Sequence, residues 1–410
     1  MTTRANVQAI SEETVRALSL RLNEPAWLLE RRLAAWRAFE AMSMPDPLAE
    51  EWRRTDISGL DLDSLLTEQP QPESEAGLHA PAAVSEAPTF VYGALSEHAR
   101  TRPDLVQTYL HSLVKPTDWK LQALQAALFE GALIYVPRGV EVEAPVAHLT
   151  RAASATYFPH LLIVVEENAS LTVLQETASR IEDRQTLVSA GVEIFCGPDA
   201  RVRFVETQRW GAEAFAFSTI RARLERGAQL QAGLVGLGGR LAKTKLEVTL
   251  AGEGASAELL GLSFGGGKQH FDYVTLQDHL APRTSSDLLF KAALDGESSQ
   301  VWTGTVRIQK GASQSDANQA SRNLLLSEHA KAAPIPILEI EAYDVLRCSH
   351  GATAGPLDED QLFYLESRGI PPAESERLLV EAFFQEVIDR LPVDRDRLQE
   401  MLSSRIGAGS

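Results

Sequence analysis

The feature that most constrains this chain is a drifting repeat of alternating apolar and polar residues through its middle. Four segments each read as strand, small turn and strand, with the turns centred on Ala169, Ala200, Ala228 and Ala255. These alanines lie 31, 28 and 27 residues apart. A repeat of roughly 20–50 residues is typical of stacked architectures, because one unit cannot bury its apolar face alone. The repeat therefore favours a β-solenoid over 131–345, although the alternation alone also fits an antiparallel sandwich.

Helical patterns flank the repeat on both sides. Apolar residues recur at helical spacing in 8–60 and 105–128 before it, and in 358–368 and 373–390 after it. The stretch 67–88 is rich in Pro, Glu, Ser and Ala, which indicates a linker or an exposed loop. We therefore predict an N-terminal helical region at 1–115, a mainly β core at 116–355 and a C-terminal helical region at 356–410.

Composition excludes several classes of function. The net charge of −17 argues against general binding to nucleic acid or to anionic membranes. Two cysteines in 410 residues do not form a disulfide scaffold and indicate a reducing compartment. The first residues lack an apolar signal region, and no apolar run is long enough to span a bilayer. A cytoplasmic protein is the simplest interpretation.

The segment from Leu338 to Ile370 combines three features. It begins as a predicted strand and then brings Cys348 and His350 together, two positions apart and so on one face of an extended chain. A break is expected at 351–356, followed by a helix with Asp358 as its N-cap. A thiol and an imidazole suit iron, zinc or an iron–sulfur cluster. A neighbouring imidazolium would also lower the pKa of the thiol.

The same segment closely resembles the one that marks the SufB/SufD family of iron–sulfur cluster assembly proteins. The form Cys-Ser-His-Gly-Ala-Thr at 348–353 is that of the SufD branch, whereas SufB has Glu where Gly351 stands. Three other stretches also resemble family elements: Glu-Trp-Arg-x-Thr-Asp at 51–56, His-x-x-Pro-x-Thr-x-Ser at 279–286 and Gln-x-x-Arg-Asn-Leu-Leu-Leu-Ser at 319–327. The resemblance is strong over about 120–390.

This resemblance implies a fold and a set of partners. The fold would be a right-handed parallel β-helix, in agreement with the repeat. The chain would be a SufD-like subunit of an iron–sulfur assembly scaffold, without enzymatic activity of its own. It would pair with a SufB-like paralogue through its last strands, and a SufC-like ABC ATPase would dock on its C-terminal helices. A homodimer in the absence of the paralogue stays open.

The resemblance also places Cys348 and His350 at the interface with the paralogue, where iron or a nascent cluster would be held transiently. An iron–sulfur cluster usually takes four protein ligands, mostly cysteines. Since this chain has only Cys196 and Cys348, 152 positions apart, a second chain is expected to supply the remaining ligands. Cys196 itself fits a small buried residue at the end of a strand.

The C-terminal apolar stripe is the predicted docking surface for the ATPase. Its anchors are Leu379, Phe383 and Phe384, and one of the two adjacent phenylalanines is expected to be exposed. The glycine-rich stretches 236–240 and 265–268 lack the P-loop pattern, so no bound nucleotide is expected in this chain.

Other interpretations stay open on the residues alone. A SufB-type main scaffold is disfavoured by the 348–353 form and by the shortage of cysteines. A β-helix enzyme that degrades polysaccharides would need a convergent carboxylate pair, and none stands out. An autonomous metalloprotein is disfavoured by ligand counting. A separate metal site at His270 and Asp272, with His279 nearby, is less expected than a structural role for these residues.

Overall fold

Two parallel sheets face each other and form a solenoid in the computed structural model, which describes residues 10–67, 90–179 and 181–406. From residue 159 onward, successive strands alternate between the sheets, so each rung adds one strand to each sheet, and about eight rungs stack. Helices precede the solenoid in the chain and also follow it. The predicted mainly β solenoid with helical flanks is confirmed, and the antiparallel sandwich is excluded. The predicted linker at 67–88 lies, from residue 68 onward, outside the described residues.

The helices of the described residues are α1 (Glu12–Arg21), α2 (Ala26–Ala41), α3 (Leu62–Leu65), α4 (Leu95–Thr101), α5 (Pro103–Tyr109), α6 (Lys120–Leu128), α7 (Glu359–Ser367), α8 (Pro372–Ile388) and α9 (Arg395–Ser403). The strands are β1 (Val91–Ala94), β2 (Glu130–Val136), β3 (Val146–Ala152), β4 (Thr156–Tyr157), β5 (Pro159–Val165), β6 (Ser170–Ser179), β7 (Thr186–Cys196), β8 (Arg201–Arg209), β9 (Ala214–Leu224), β10 (Gln229–Gly236), β11 (Leu241–Leu250), β12 (Ser256–Gly265), β13 (His270–His279), β14 (Ser285–Leu294), β15 (Ser299–Ile308), β16 (Asp316–Leu325), β17 (Lys331–Ile340) and β18 (Arg347–Gly355).

We name the two sheets by their strands. Sheet A runs in the order β1-β2-β5-β7-β9-β11-β13-β15-β17, with β4 paired to β7, and sheet B runs in the order β18-β16-β14-β12-β10-β8-β6-β3. All pairs are parallel except β1 with β2, which is antiparallel. The first strand therefore closes one edge of sheet A from within the region that the sequence pattern predicted as helical.

A left-handed residue at one corner of each rung explains the repeat. These residues have φ between 56° and 72° and are Gly139, Asn168, Asp199, Gly227, Gly254, Arg283 and Gln314. The residue after each of them faces the interior of the solenoid. At four of these positions it is an alanine of the predicted repeat, and these alanines are 0–2% exposed. At Gly227 a Cβ would lie 2.2 Å from Oδ1 of Asp199 on the preceding rung, so a side chain there would require this carboxylate to move.

The two inner faces fill the solenoid with close-packed side chains. Aliphatic residues dominate the rungs from Ala132 to Leu259, and four aromatic residues, Phe271, Tyr273, Phe290 and Trp302, fill the rungs that follow. The Tyr273 and Phe290 rings lie 5.4 Å apart in an edge arrangement. This core gives the solenoid its rigidity up to the last rung.

The N-terminal region is fastened to the outside of sheet A around Trp52. The ring centroids of Trp52 and Trp119 lie 5.2 Å apart. The ammonium of Lys243 lies over the Trp52 ring, 4.8 Å from its centroid. Lys243 forms an ion pair with Asp272 in which the two side chains are 3% and 2% exposed. Thr55 donates a hydrogen bond to the same carboxylate. The Glu-Trp-Arg-x-Thr-Asp element thus anchors the N-terminal segment to the solenoid, beyond joining helices to one another.

Sheet B is covered on its outer face by α8 and α9. Val380, Phe384 and Val387 of α8 are fully buried against apolar residues of sheet B such as Leu260 and Leu289. The sequence predicted α7 and α8 within about a residue or two, and the Asp358 N-cap is present. It did not predict α9, in which Leu398 and Leu402 are the buried positions among charged residues. No helix among the described residues is long and apolar enough to cross a membrane.

Candidate functional site

The last rung of the solenoid is open. β18 is the terminal strand of sheet B and, among the described strands, pairs with β16 alone, while β17 ends sheet A. The expected break at 351–356 is wrong, because β18 continues to Gly355 and keeps its register with β16 through Gly351. Cys348 and His350 therefore lie on a regular strand, and its outer edge is a row of backbone groups available for pairing.

Cys348 and His350 leave the same face of β18, as predicted. Their partners on the preceding rung are Ala317 and Gln319, both 0% exposed, so this face continues the inner surface of the solenoid. Cys348 is half-buried in a small apolar cluster with Val306. His350 is exposed. The chain thus presents one sheltered thiol and one open imidazole at the mouth of the solenoid.

The electrostatic setting of Cys348 differs from the prediction. Burial raises the pKa of the Cys348 thiol above its ordinary value, whereas a lowering by His350 was expected. The physical reason is the apolar cluster, which disfavours the thiolate more than an exposed imidazole favours it. A metal ion would therefore have to displace a proton from this thiol.

Two donors, Cys348 and His350, are fewer than a metal or cluster site usually takes. In the part of the chain that the structure describes, no three His, Cys, Asp or Glu side chains are grouped so that they could hold a metal ion. Cys196, the other cysteine, is 1% exposed in the core, and burial raises its pKa to about 12. Its predicted structural role agrees with this placement. Two donors at an open edge suit a site that is completed from outside.

Large apolar side chains surround the open end. Ile340 of β17 is 47% exposed, and Tyr343 and Leu346 in the turn before β18 are 99% and 72% exposed. Exposed apolar groups beside an unpaired strand edge are typical of interaction surfaces. The sequence pattern did not single out Tyr343 or Leu346, since scattered exposed apolar residues are common.

The predicted docking residues Leu379, Phe383 and Phe384 are less exposed than expected. Phe384 is 0% exposed and packs between α8 and sheet B, so it is a core residue and not a surface anchor. Phe383 is half-buried, with the ammonium of Lys291 at 4.8 Å from its ring. The expectation that one of the pair is exposed is wrong, because Lys291 and the edge of the sheet B cluster cover Phe383. Leu379 is half-buried as well.

The exposed aromatic residues of this region lie on α7 instead. Phe363 is 73% and Tyr364 is 56% exposed, and α7 has no buried residue. We call Phe363, Tyr364, Leu379 and Phe383 the α7–α8 surface.

The histidines of the core have structural roles. His279 is 0% exposed, with Nδ1 2.8 Å from Oγ1 of Thr284 and Nε2 2.8 Å from Oγ of Ser286. Burial lowers the pKa of His279 to about 4, so the ring is neutral at pH 7. His270 lies 2.8 Å from Ser299 through Nδ1, and Asp272 is neutralised by Lys243. The His-x-x-Pro-x-Thr-x-Ser element is thus a hydrogen-bonded corner.

Comparison with known proteins agrees with this architecture. Residues 148–383 match the family described as SUF system FeS cluster assembly, SufBD core domain, and residues 79–147 match the SufBD protein N-terminal region. The iron-sulfur cluster assembly protein SufD of Bacillus subtilis is 29% identical over 94% of this chain and 95% of its own length. An iron-sulfur cluster assembly SufBD family protein of Mycobacterium bovis is 34% identical over 69% of this chain and 73% of its own length.

The core match alone spans more than half of the chain and ends within α8, so it covers β18 and both candidate ligands. The similarity to the Bacillus subtilis protein extends over nearly the whole length of both chains. The chain therefore belongs to the SufBD family of SUF-system iron–sulfur cluster assembly proteins, and it is similar to SufD.

Proposed function

We propose that this chain is the SufD-like half of a scaffold on which an iron–sulfur cluster is assembled in a site shared with a SufB-like paralogue. The observation that carries the proposal is the position of Cys348 and His350 at the open end of the solenoid. Two donors on an unpaired terminal strand can bind a cluster only together with ligands from another chain. Iron and the nascent cluster are cargo in this proposal.

The paralogue would cover the last rung. A homologous solenoid presents the same kind of terminal strand, and pairing the two edges would satisfy the backbone groups of β18. Tyr343 and Leu346 would be buried in the contact, since together with Ile340 they form the exposed apolar border of this end. A homodimer through the same edge would bring two Cys348–His350 pairs together, which is the competing assembly.

The ATPase would dock on the α7–α8 surface. An exposed aromatic pair on a short helix that buries none of its own residues suits insertion into a groove of a partner. Nucleotide energy would enter through that partner. Within this chain, two groups would bind iron at the contact with the paralogue. Cys348 would supply a thiolate after losing its proton, and His350 would supply an imidazole nitrogen.

Copurification and reconstitution test the proposal together. The tagged chain is expressed with and without a SufB-like paralogue and a SufC-like ATPase, and iron and sulfide are added under anaerobic conditions. The expected result is a complex of three different proteins in which cluster absorbance far exceeds that of the chain alone. Full cluster yield on the isolated chain would contradict the shared site. Failure to bind either protein would contradict the scaffold role.

A further inference from the structure

A column of polar side chains runs along the outer face of sheet B and ends between the two candidate ligands. Its members stand in register on successive strands and are Gln231, Glu258, Asp287, Asn318 and Ser349. Ser349 lies between Cys348 and His350 and points to the opposite face of β18. The column therefore contacts the ligand-bearing strand from outside, without contacting the ligands.

Hydrogen bonds connect the end of this column without a gap. Ser349 donates through Oγ to Oδ1 of Asn318 at 2.8 Å. Asn318 in turn donates through Nδ2 to Oδ1 of Asp287 at 2.9 Å. The second oxygen of Asp287 accepts from Nη2 of Arg390 at 2.6 Å. The path leads from the site strand to Arg390, two residues after the end of α8.

Both the guanidinium and the backbone carbonyl of Arg390 form hydrogen bonds with sheet B. Its guanidinium also donates to Oε1 of Glu258, through Nε at 2.9 Å and Nη2 at 2.6 Å. Its carbonyl oxygen accepts from Nε2 of Gln231 at 3.0 Å. Two carboxylates on neighbouring rungs thus fix one planar guanidinium, whose several N–H groups can meet both of them. We call Arg390, Asp287, Asn318 and Ser349 the Arg390 ladder.

Among the described residues, three side-chain links join β18 to β16: the Ser349–Asn318 bond of the ladder, the bond from Nδ2 of Asn323 to the carbonyl of Thr353, and the ion pair of Arg347 with Asp316. In the ladder, Arg390 and Asp287 are 30% and 45% exposed, and in the neighbouring pair Arg347 and Asp316 are 62% and 40% exposed, so the cation of the ladder is the better sheltered of the two. Exposed ion pairs contribute little because solvent screens them. As a terminal strand, β18 has no second neighbour among the described strands to set its position, so partly buried side-chain bonds matter more here than within the sheet.

We propose that the Arg390 ladder positions the strand that carries Cys348 and His350, with Arg390, Asp287, Asn318 and Ser349 as positioning residues for cargo binding. The role in assembly rests on the proposed function, because the position of β18 matters there only if its two donors bind cargo. The ladder also connects the site strand to the end of α8. None of its members contacts the cargo.

The test measures β18 in the isolated full-length chain, with neither partner nor iron present. Amide hydrogen exchange of 347–355 and the rate of Cys348 labelling by a maleimide are compared between Arg390→Met and the parent. Loss of one hydrogen-bonded link is expected to raise both rates about threefold to tenfold. Arg395→Met is the matched control, since Arg395 pairs with Asp389 in the same region but does not reach the ladder.

A second pair of variants at the other end keeps the test decisive if Arg390→Met disturbs α8. Ser349→Ala is expected to show the same increase, while Ser349→Thr keeps the hydroxyl and restores parent rates. Parent-like rates for both Arg390→Met and Ser349→Ala would overturn the proposal, as would equal increases for Arg390→Met and Arg395→Met. Because the readout needs no cluster, this failure is distinct from a failure of the shared-site function.

Discussion

Cys348 and His350 leave the same face of β18, yet the thiol is half-buried and the imidazole is exposed. The apolar cluster beneath the last rung shelters the first position, and nothing in the described structure covers the second. In the proposed shared site, the two donors would therefore have different tasks. We expect His350 to be the more accessible ligand for arriving iron, with Cys348 engaged after its proton is lost.

Replacing His350 by Ala should reduce cluster assembly on the hetero-complex without preventing the complex from forming. The contact with the paralogue would be held by strand pairing and by apolar contacts, whereas the imidazole is one ligand. Cys348→Ser should have a similar or milder effect, since the paralogue can supply the main thiolates. The measurement is cluster absorbance after anaerobic reconstitution, with complex formation followed by size exclusion. Normal yield in the double variant would refute a role for this pair.

The α7–α8 surface can be separated from the solenoid end by two variants. Phe363→Ala should weaken binding of the ATPase, by about 2 kcal/mol if Phe363 is an anchor of the contact. Tyr343→Ala removes an aromatic ring that is even more exposed, at the other surface, and should affect binding of the paralogue instead. Titration of each partner against both variants is the measurement. An unchanged ATPase affinity in Phe363→Ala would exclude it as an anchor.

Phe384→Ala tests the corrected position of the predicted docking residue. Because Phe384 is fully buried between α8 and sheet B, its truncation should lower the free energy of unfolding by about 3–5 kcal/mol. Chemical denaturation measures this directly. Leu379→Ala, at a half-buried position of the same helix, should cost less stability. Equal stability of Phe384→Ala and the parent would contradict the packing of α8 described here.

The sequence was informative where a local pattern strongly favours one structure. The period between Ala169 and Ala255 sets the length of a rung, and that length predicts a solenoid. The Asp358 N-cap follows from spacing alone. Spacing did not reveal which face of α8 meets sheet B, because a stripe that includes Phe383 and Phe384 suits a core or a partner equally. The pairing of Lys243 with Asp272 needs the register between rungs, which no local pattern carries.

Lys243→Met should be strongly destabilising. The substitution leaves Asp272 buried with its main positive partner removed, which typically costs about 3–5 kcal/mol. It also removes the ammonium that lies over the Trp52 ring, so the N-terminal segment should pack less tightly against the solenoid. Unfolding by denaturant and limited proteolysis near Trp52 measure the two effects. The double variant Lys243→Met with Asp272→Leu should recover much of the loss, since no unpaired charge is left buried; no recovery would contradict this account.

Two of the buried histidines of the solenoid, His148 and His279, should make the fold sensitive to mild acid. Burial lowers the pKa of each to about 4, whereas an unfolded histidine titrates near 6.5. Between these values the unfolded chain binds a proton that the folded chain does not, so stability falls as the pH drops from about 6.5 to about 4. Each histidine contributes a slope of at most about 1.4 kcal/mol per pH unit.

His279→Gln should therefore flatten the pH dependence of the free energy of unfolding in that window. The variant is expected to be less stable at pH 7.5, because the glutamine cannot keep both hydrogen bonds to Thr284 and Ser286. The slope is thus the diagnostic quantity, and the stability at neutral pH is not. His148→Gln should flatten the slope independently, and the double variant should do so additively, since the two sites share no partner. An unchanged slope in the double variant would show that acid acts on other groups.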